Sequence, residues 1–228
     1  MLNYEVDPGL LQAHVPPGTV LDSFGGRTYV SLVGFRFLHT RLRGLIPIPF
    51  HANFDEVNLR FYVRRQLEDE DCVFKRGVAF IAEIVPKWAV AKVARLVYGE
   101  NYTCLPMRHR VDMQTPQKIA EYQWQLNGNW CKLRAEARGT PAHPAEGSVE
   151  QFITEHYWGY STRRSGGCME YHVAHPPWRV WATTAAGFEG DARALYGAQL
   201  AAILQRRPDS AFIADGSPVI VYAGKGIA

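Results

Sequence analysis

The chain has 228 residues, 47% apolar and 21% charged, with a formal net charge of +3. That is an ordinary globular balance, sufficient for a core without disulfide or metal staples. The basic pairs Arg64-Arg65, Arg163-Arg164 and Arg206-Arg207 are scattered and not joined in one run, which argues against a nucleic-acid partner.

In chain order, Arg27–Phe37 alternates, with Tyr29, Ser31, Val33 and Phe35 against Val30, Leu32, Gly34 and Arg36, and reads as a strand. Residues 41–53 hold Gly44, Pro47 and Pro49 and read as a loop leading into Phe54–Val63. Side chains alternate across a strand. In that segment Glu56, Asn58, Arg60 and Tyr62 therefore share one face, and Val57, Leu59, Phe61 and Val63 share the other. The polar row either looks at water or lines a polar cavity. Gly77–Val85 is apolar apart from Glu83 and reads as a strand buried on both faces, ended by Pro86. Over 89–98 the period changes: Val90, Val93, Ala94 and Val97 recur at helical spacing, and Gly99 follows as a stop.

Residues 119–126 and 130–138 alternate and are joined through Asn127-Gly128, a hairpin signal. Residues 139–147 read as a loop. Strands are expected at 150–158 and 168–174, and a helix over 191–206, with Asp191 near its start and Pro208 just beyond its end. Val219–Tyr222 reads as a terminal strand. Many strands with two inserted helices predict an α+β fold built on an antiparallel or mixed barrel or sandwich, not alternating βαβ units. With no internal repeat or linker, residues 1–228 are expected to form a single domain.

Glu155, His156 and Tyr157 stand together within Phe152–Tyr160. On a strand, His156 would face with Thr154 and Trp158, and Glu155 with Tyr157. The two cannot then form an adjacent acid–base couple, and whichever faces a cavity is the proton-transfer candidate. His172 and His175 would fall on opposite strand faces and make a poor chelating pair, so no metal site is predicted. No Walker loop, GxSxG elbow or complete dinucleotide fingerprint is present, and no cofactor is expected. The four cysteines, at 72, 104, 131 and 168, lack zinc or redox spacing and read as free thiols in a reducing cytoplasm. No signal peptide and no apolar run of about 20 residues is seen, so no membrane association is expected. Arg95, close to Glu100, is either half of a surface ion pair or, if turned inward, a bidentate carboxylate binder.

Five segments together resemble one family: Phe54–Val63 (FDEVNLRFYV), Arg76–Pro86 (RGVAFIAEIVP), Ala94–Met107 (ARLVYGENYTCLPM), Phe152–Tyr160 (FITEHYWGY) and Tyr171–Trp178 (YHVAHPPW). They are similar to the DUF2071, or YqjF-like, family along nearly the whole chain. The resemblance implies an acetoacetate decarboxylase-like fold: a mostly antiparallel β-barrel enclosing a cavity, with a few flanking helices. In acetoacetate decarboxylases the first lysine of a pair forms a Schiff base with a β-keto acid, its pKa lowered by the neighbouring ammonium and by desolvation. Aligned on Ala94-Arg95, that pair falls at Tyr102 and Thr103, neither of which can form an imine. The resemblance therefore implies that decarboxylase activity is lost, and Arg95 alone carries over, as a carboxylate binder.

Three functions follow as expectations. The first is an enzyme, or relic enzyme, acting on a small anionic ligand in a cavity lined by Glu56, Asn58, Arg60, Tyr62, Arg95 and Tyr102, with Glu155 or His156 moving the proton. The second is a non-catalytic binding protein using the same cavity. The third is a structural or interaction protein whose polar stripe faces solvent. Homo-oligomerisation is left open by the sequence.

Overall fold

The computed structural model describes residues 1–39, 41–42, 46–47, 53–67, 73–97, 101–163 and 166–227, and their side chains except those of 41–42, 46–47 and 93–97. The chain opens with β1 (Leu2–Val6), β2 (Val20–Leu21), β3 (Thr28–Phe37) and the short strands β4 (Arg41–Leu42) and β5 (Ile46–Pro47). The long pair β6 (Phe54–Gln66) and β7 (Phe74–Val85) precedes helix α1 (Trp88–Val97). Then come β8 (Tyr102–Cys104), β9 (Met107–Asp112), β10 (Gln117–Leu126) and β11 (Asn129–Arg138). Helix α2 (Val149–Thr154), β12 (Trp158–Thr162), β13 (Cys168–Ala174) and β14 (Val180–Glu189) follow. Helix α3 (Arg193–Leu204), β15 (Ser210–Ala214), β16 (Ile220–Val221) and β17 (Lys225–Ile227) complete the described chain.

One sheet dominates, in the order β16-β13-β12-β7-β6-β3-β1-β15-β14-β11-β10-β9. Its pairings are antiparallel except where β7 runs parallel to β12 and to β8. The β10–β11 turn has positive φ at both Asn127 (51°) and Gly128 (82°), the conformation that matches the twist of a two-residue hairpin. The sheet curls until its far strands return over its middle. Tyr122 of β10 lies over Gly34 of β3, where a Cβ would come within 2.6 Å of the Tyr122 ring. His109 Nδ1 of β9 meets Asp55 Oδ2 of β6 at 2.8 Å.

β6 sits centrally because both of its faces are apolar enough, or well enough bonded, to be covered. It pairs with β3 from Phe54 to Phe61 and with β7 from Val57 to Gln66, with a register shift between Leu59 and Arg60. Val57, Leu59, Phe61 and Val63 enter the main core with Leu32, Ile84, Tyr122, Trp124 and Leu133. Trp124 is fully buried and stacks on Phe188 at 5.7 Å. The opposite face of β6 enters two smaller clusters. Tyr62 packs with Tyr29, Val78, Phe152, Ile153 and Phe212, and Phe54 packs with Val85, Ala91 and Tyr102.

The segment expected as a strand over 150–158 is instead α2 followed by β12. Ser148 caps the helix, its Oγ accepting from Gln151 N at 3.2 Å. Phe152-Ile153-Thr154 has strand propensity, but all three are buried in the helical conformation, and tertiary packing overrides local preference. The face argument for Glu155 and His156 lapses with the strand. The helix expected over 191–206 is present but breaks at Gly197, whose φ is 74°. Within the loop expected at 41–53, β4 and β5 pair with each other; its other residues up to 52 lie outside the described set.

Candidate functional site

The polar row of β6 does not face solvent: Glu56, Asn58 and Tyr62 are 2%, 2% and 1% exposed. Each side chain meets a different set of partners, in three groups along the strand.

At one end, Tyr102 Oη donates to Glu56 Oε2 at 3.0 Å, and Asn58 Nδ2 donates to Glu56 Oε1 at 3.0 Å. Burial pushes the Glu56 carboxyl up to about 7, against the two hydrogen bonds that hold it down. Glu83, buried on β7, stands opposite Asn58 on one side and opposite Tyr102 on the other. Asn58 Oδ1 is buried with no hydrogen-bond partner among the described residues.

In the middle, Arg60 Nη2 donates to the carbonyl of Ile153 in α2 at 3.2 Å. Its Nε is buried and unpartnered among the described residues. No carboxylate among them pairs with this guanidinium, which also lies 5.7 Å from the Tyr62 ring centre. Its charge is felt at His156 and His175, depressing both imidazole pKa values after the larger effect of burial.

At the other end, Ser31 Oγ stands 2.7 Å from Asn3 Oδ1 and 2.6 Å from Tyr62 Oη. The amide oxygen can only accept, so Ser31 donates to Asn3 and Tyr62 donates to Ser31. The His156 ring packs against Tyr62 at a centroid distance of 4.6 Å, tilted by 44°, and its Nε2 meets Asp22 Oδ2 at 3.3 Å. Arg76 Nε donates to the same Asp22 oxygen at 2.7 Å. Burial pushes the Asp22 carboxyl up, but the His156 and Arg76 contacts outweigh it and hold it at about 2. A carboxylate there fixes the His156 proton on Nε2 and leaves Nδ1 an acceptor, which has no partner among the described residues. Burial lowers the His156 pKa to about 4, so the ring is neutral near pH 7.

Of the sequence-derived candidates, the structure thus groups Glu56, Asn58 and Tyr102, places Arg60 beside them, and sets Tyr62 with His156. Glu155 caps α2 at its C-terminal end, and Gln151 Nε2 donates to its carboxylate at 3.4 Å. Arg95 lies on α1, its side chain and Glu100 outside the described set. Sequence reasoning passed over Glu83, Asp22 and Ser31. Glu83 had a signal, as the sole charge in the otherwise apolar run Gly77–Val85; Asp22 and Ser31 had none. Among the described residues, no three His, Cys, Asp or Glu side chains gather as a metal site, and no helix is long and apolar enough to cross a membrane.

A large curved sheet, with its central strand wrapped by a short helix on each flank, defines an acetoacetate decarboxylase-like fold. The acetoacetate decarboxylase of Legionella pneumophila superposes on all of this chain and 83% of its own, with a TM-score of 0.65 at 14% identity. The chain belongs to the DUF2071 family, described as an uncharacterized conserved protein, whose model matches residues 1–218. It is 25% identical over 178 residues to the uncharacterized protein YqjF of Bacillus subtilis (strain 168), covering 77% of this chain and 69% of that one.

Proposed function

We propose that this chain binds a small anionic ligand, a carboxylate, in a cavity against the polar face of β6, and moves a proton on it without forming an imine. Arg60 carries the reading: a partly buried guanidinium with an unpartnered Nε and no carboxylate partner among the described residues. A cation partly withdrawn from water without a counter-ion carries a desolvation cost. A carboxylate meeting the guanidinium fork offsets that cost with charge-assisted hydrogen bonds. Arg95, on α1, is the second candidate cation.

Glu56 is the proton-transfer group. Its carboxyl, raised to about 7, exchanges a proton near neutral pH, where general acid–base catalysis is most effective. In this reading His156 is a neutral acceptor held by Asp22, and Glu155 is a helix-end residue. Imine chemistry is disfavoured because Tyr102 and Thr103 stand where the lysine pair of acetoacetate decarboxylases aligns. Lys75 is engaged by Glu170 and Lys132 by Glu189. The setting would be a reducing cytoplasm, in keeping with the free thiols Cys104, Cys131 and Cys168.

Thermal unfolding with and without short-chain carboxylates tests the site. A saturating acid should raise the unfolding temperature of the wild type, by linkage to binding, and leave that of Arg60→Met unchanged. Equal shifts in both proteins would remove Arg60 from the site. A lysine adduct trapped by borohydride in the presence of a keto acid would overturn the exclusion of an imine. The Tyr102-Thr103 replacement also favours a second reading, a non-catalytic binder, whose ligand would be recovered unchanged after incubation.

A further inference from the structure

We infer that the ligand of this site is a hydroxy- or amino-carboxylate, a short acid carrying a hydrogen-bond donor on its chain. The inference rests on the anion-binding reading above and adds the second half of the ligand. It comes from Asn58. The Asn58 amide is oriented by its Nδ2 hydrogen bond to Glu56 Oε1, which turns Oδ1 to the other side. That oxygen is buried within a residue 2% exposed and has no partner among the described residues. Buried acceptors without donors are rare, and each one left unmet carries a desolvation penalty.

Asn58 and Arg60 share one face of β6, two residues apart, on the order of 6.6 Å along a strand. One offers an unmet acceptor and the other an unmet cationic donor. A ligand satisfying both must present an anionic oxygen at one end and an O–H or N–H a few bonds away. A plain acid has no such donor. A keto acid has a carbonyl there, which faces Asn58 Oδ1 as a second acceptor. Sites built to hydrogen-bond a substrate hydroxyl discriminate strongly against analogues lacking it.

Calorimetric titration of the wild-type protein with β-hydroxybutyrate, acetoacetate and butyrate tests the inference. The hydroxy acid should bind on the order of tenfold or more tighter than the other two. Equal affinity for all three, or tightest binding of acetoacetate, would overturn the donor requirement and leave the anion site standing. Binding of none of the three would overturn both. In Asn58→Leu the preference for the hydroxy acid should collapse; a retained preference would refute the role of Asn58. If that variant does not fold, the wild-type series still decides.

Discussion

Tyr102 of β8 reaches past β7 to donate a 3.0 Å hydrogen bond to Glu56 on the central strand. The bond joins residues 46 apart in sequence and lies wholly within the protein. It helps keep a carboxyl buried that would otherwise be solvated, and so links the architecture of the sheet to the proton chemistry proposed for the site.

Glu56 and His156 should give opposite pH dependences of stability. The Glu56 carboxyl is raised from 4.5 to about 7 in the fold, so the unfolded chain loses its proton first. Its contribution to stability therefore declines as pH rises from 4.5 to 7, by up to about 3 kcal/mol. His156 is lowered from 6.5 to about 4, so the unfolded chain gains a proton first on acidification. Its contribution is intact above pH 6.5 and is lost as pH falls towards 4, by a similar amount. Relative to wild type, Glu56→Gln should gain stability as pH rises through its window, and His156→Gln as pH falls through the other. Urea titrations across pH 4 to 7 read both, and a pH-independent difference for either variant would negate its assigned shift.

Arg60→Met should not destabilise the fold despite its central position. Among the described residues its side chain donates a hydrogen bond only to the Ile153 carbonyl, and replacing a partly buried, uncompensated charge by an apolar side chain of similar volume is often neutral or stabilising. The expected change in unfolding free energy lies between zero and about 1 kcal/mol in favour of the variant. A loss of several kcal/mol would mean that Arg60 is structural.

Glu170 should behave in the opposite way. It is 1% exposed and receives Lys75 at 3.1 Å, Arg65 at 3.2 Å and the Tyr160 hydroxyl at 3.1 Å. Burial alone would raise its carboxyl, but Lys75, Arg65 and Tyr160 together outweigh that and hold it below the ordinary range. Glu170→Gln should lower the urea midpoint with an unchanged slope, corresponding to about 2 kcal/mol for a broken, largely buried charge cluster. An unaltered midpoint would show the cluster to be energetically idle.

Two glycines offer a matched pair. Gly34→Ala drives a Cβ to within 2.6 Å of the Tyr122 ring and should cost about 1–3 kcal/mol by overpacking where the sheet folds over itself. Gly187, on β14, has nothing within 4 Å of an added Cβ, so Gly187→Ala should be neutral or stabilising by a few tenths of a kcal/mol. Equal effects in thermal melts would contradict the close approach of β10 to β3.

The sequence by itself determined the local periods. The two faces of β6, the Asn127-Gly128 hairpin, the short helix before β8 and the helix over 193–204 are written in alternation, turn chemistry and helical spacing, all set by residues within a few positions of one another. It also marked the polar row as the place to look. It misread α2, because a run of β-branched and aromatic residues carries the same pattern whether it packs as a strand or as a capped turn of helix. Only the tertiary structure decided that the polar row is buried, and which partner each member finds. Glu56 meets Tyr102, Arg60 meets Ile153 at a separation of 93 residues, and His156 meets Asp22 at a separation of 134. Those pairings depend on how the sheet curves and which elements cover its outer face, and no short-range pattern encodes them.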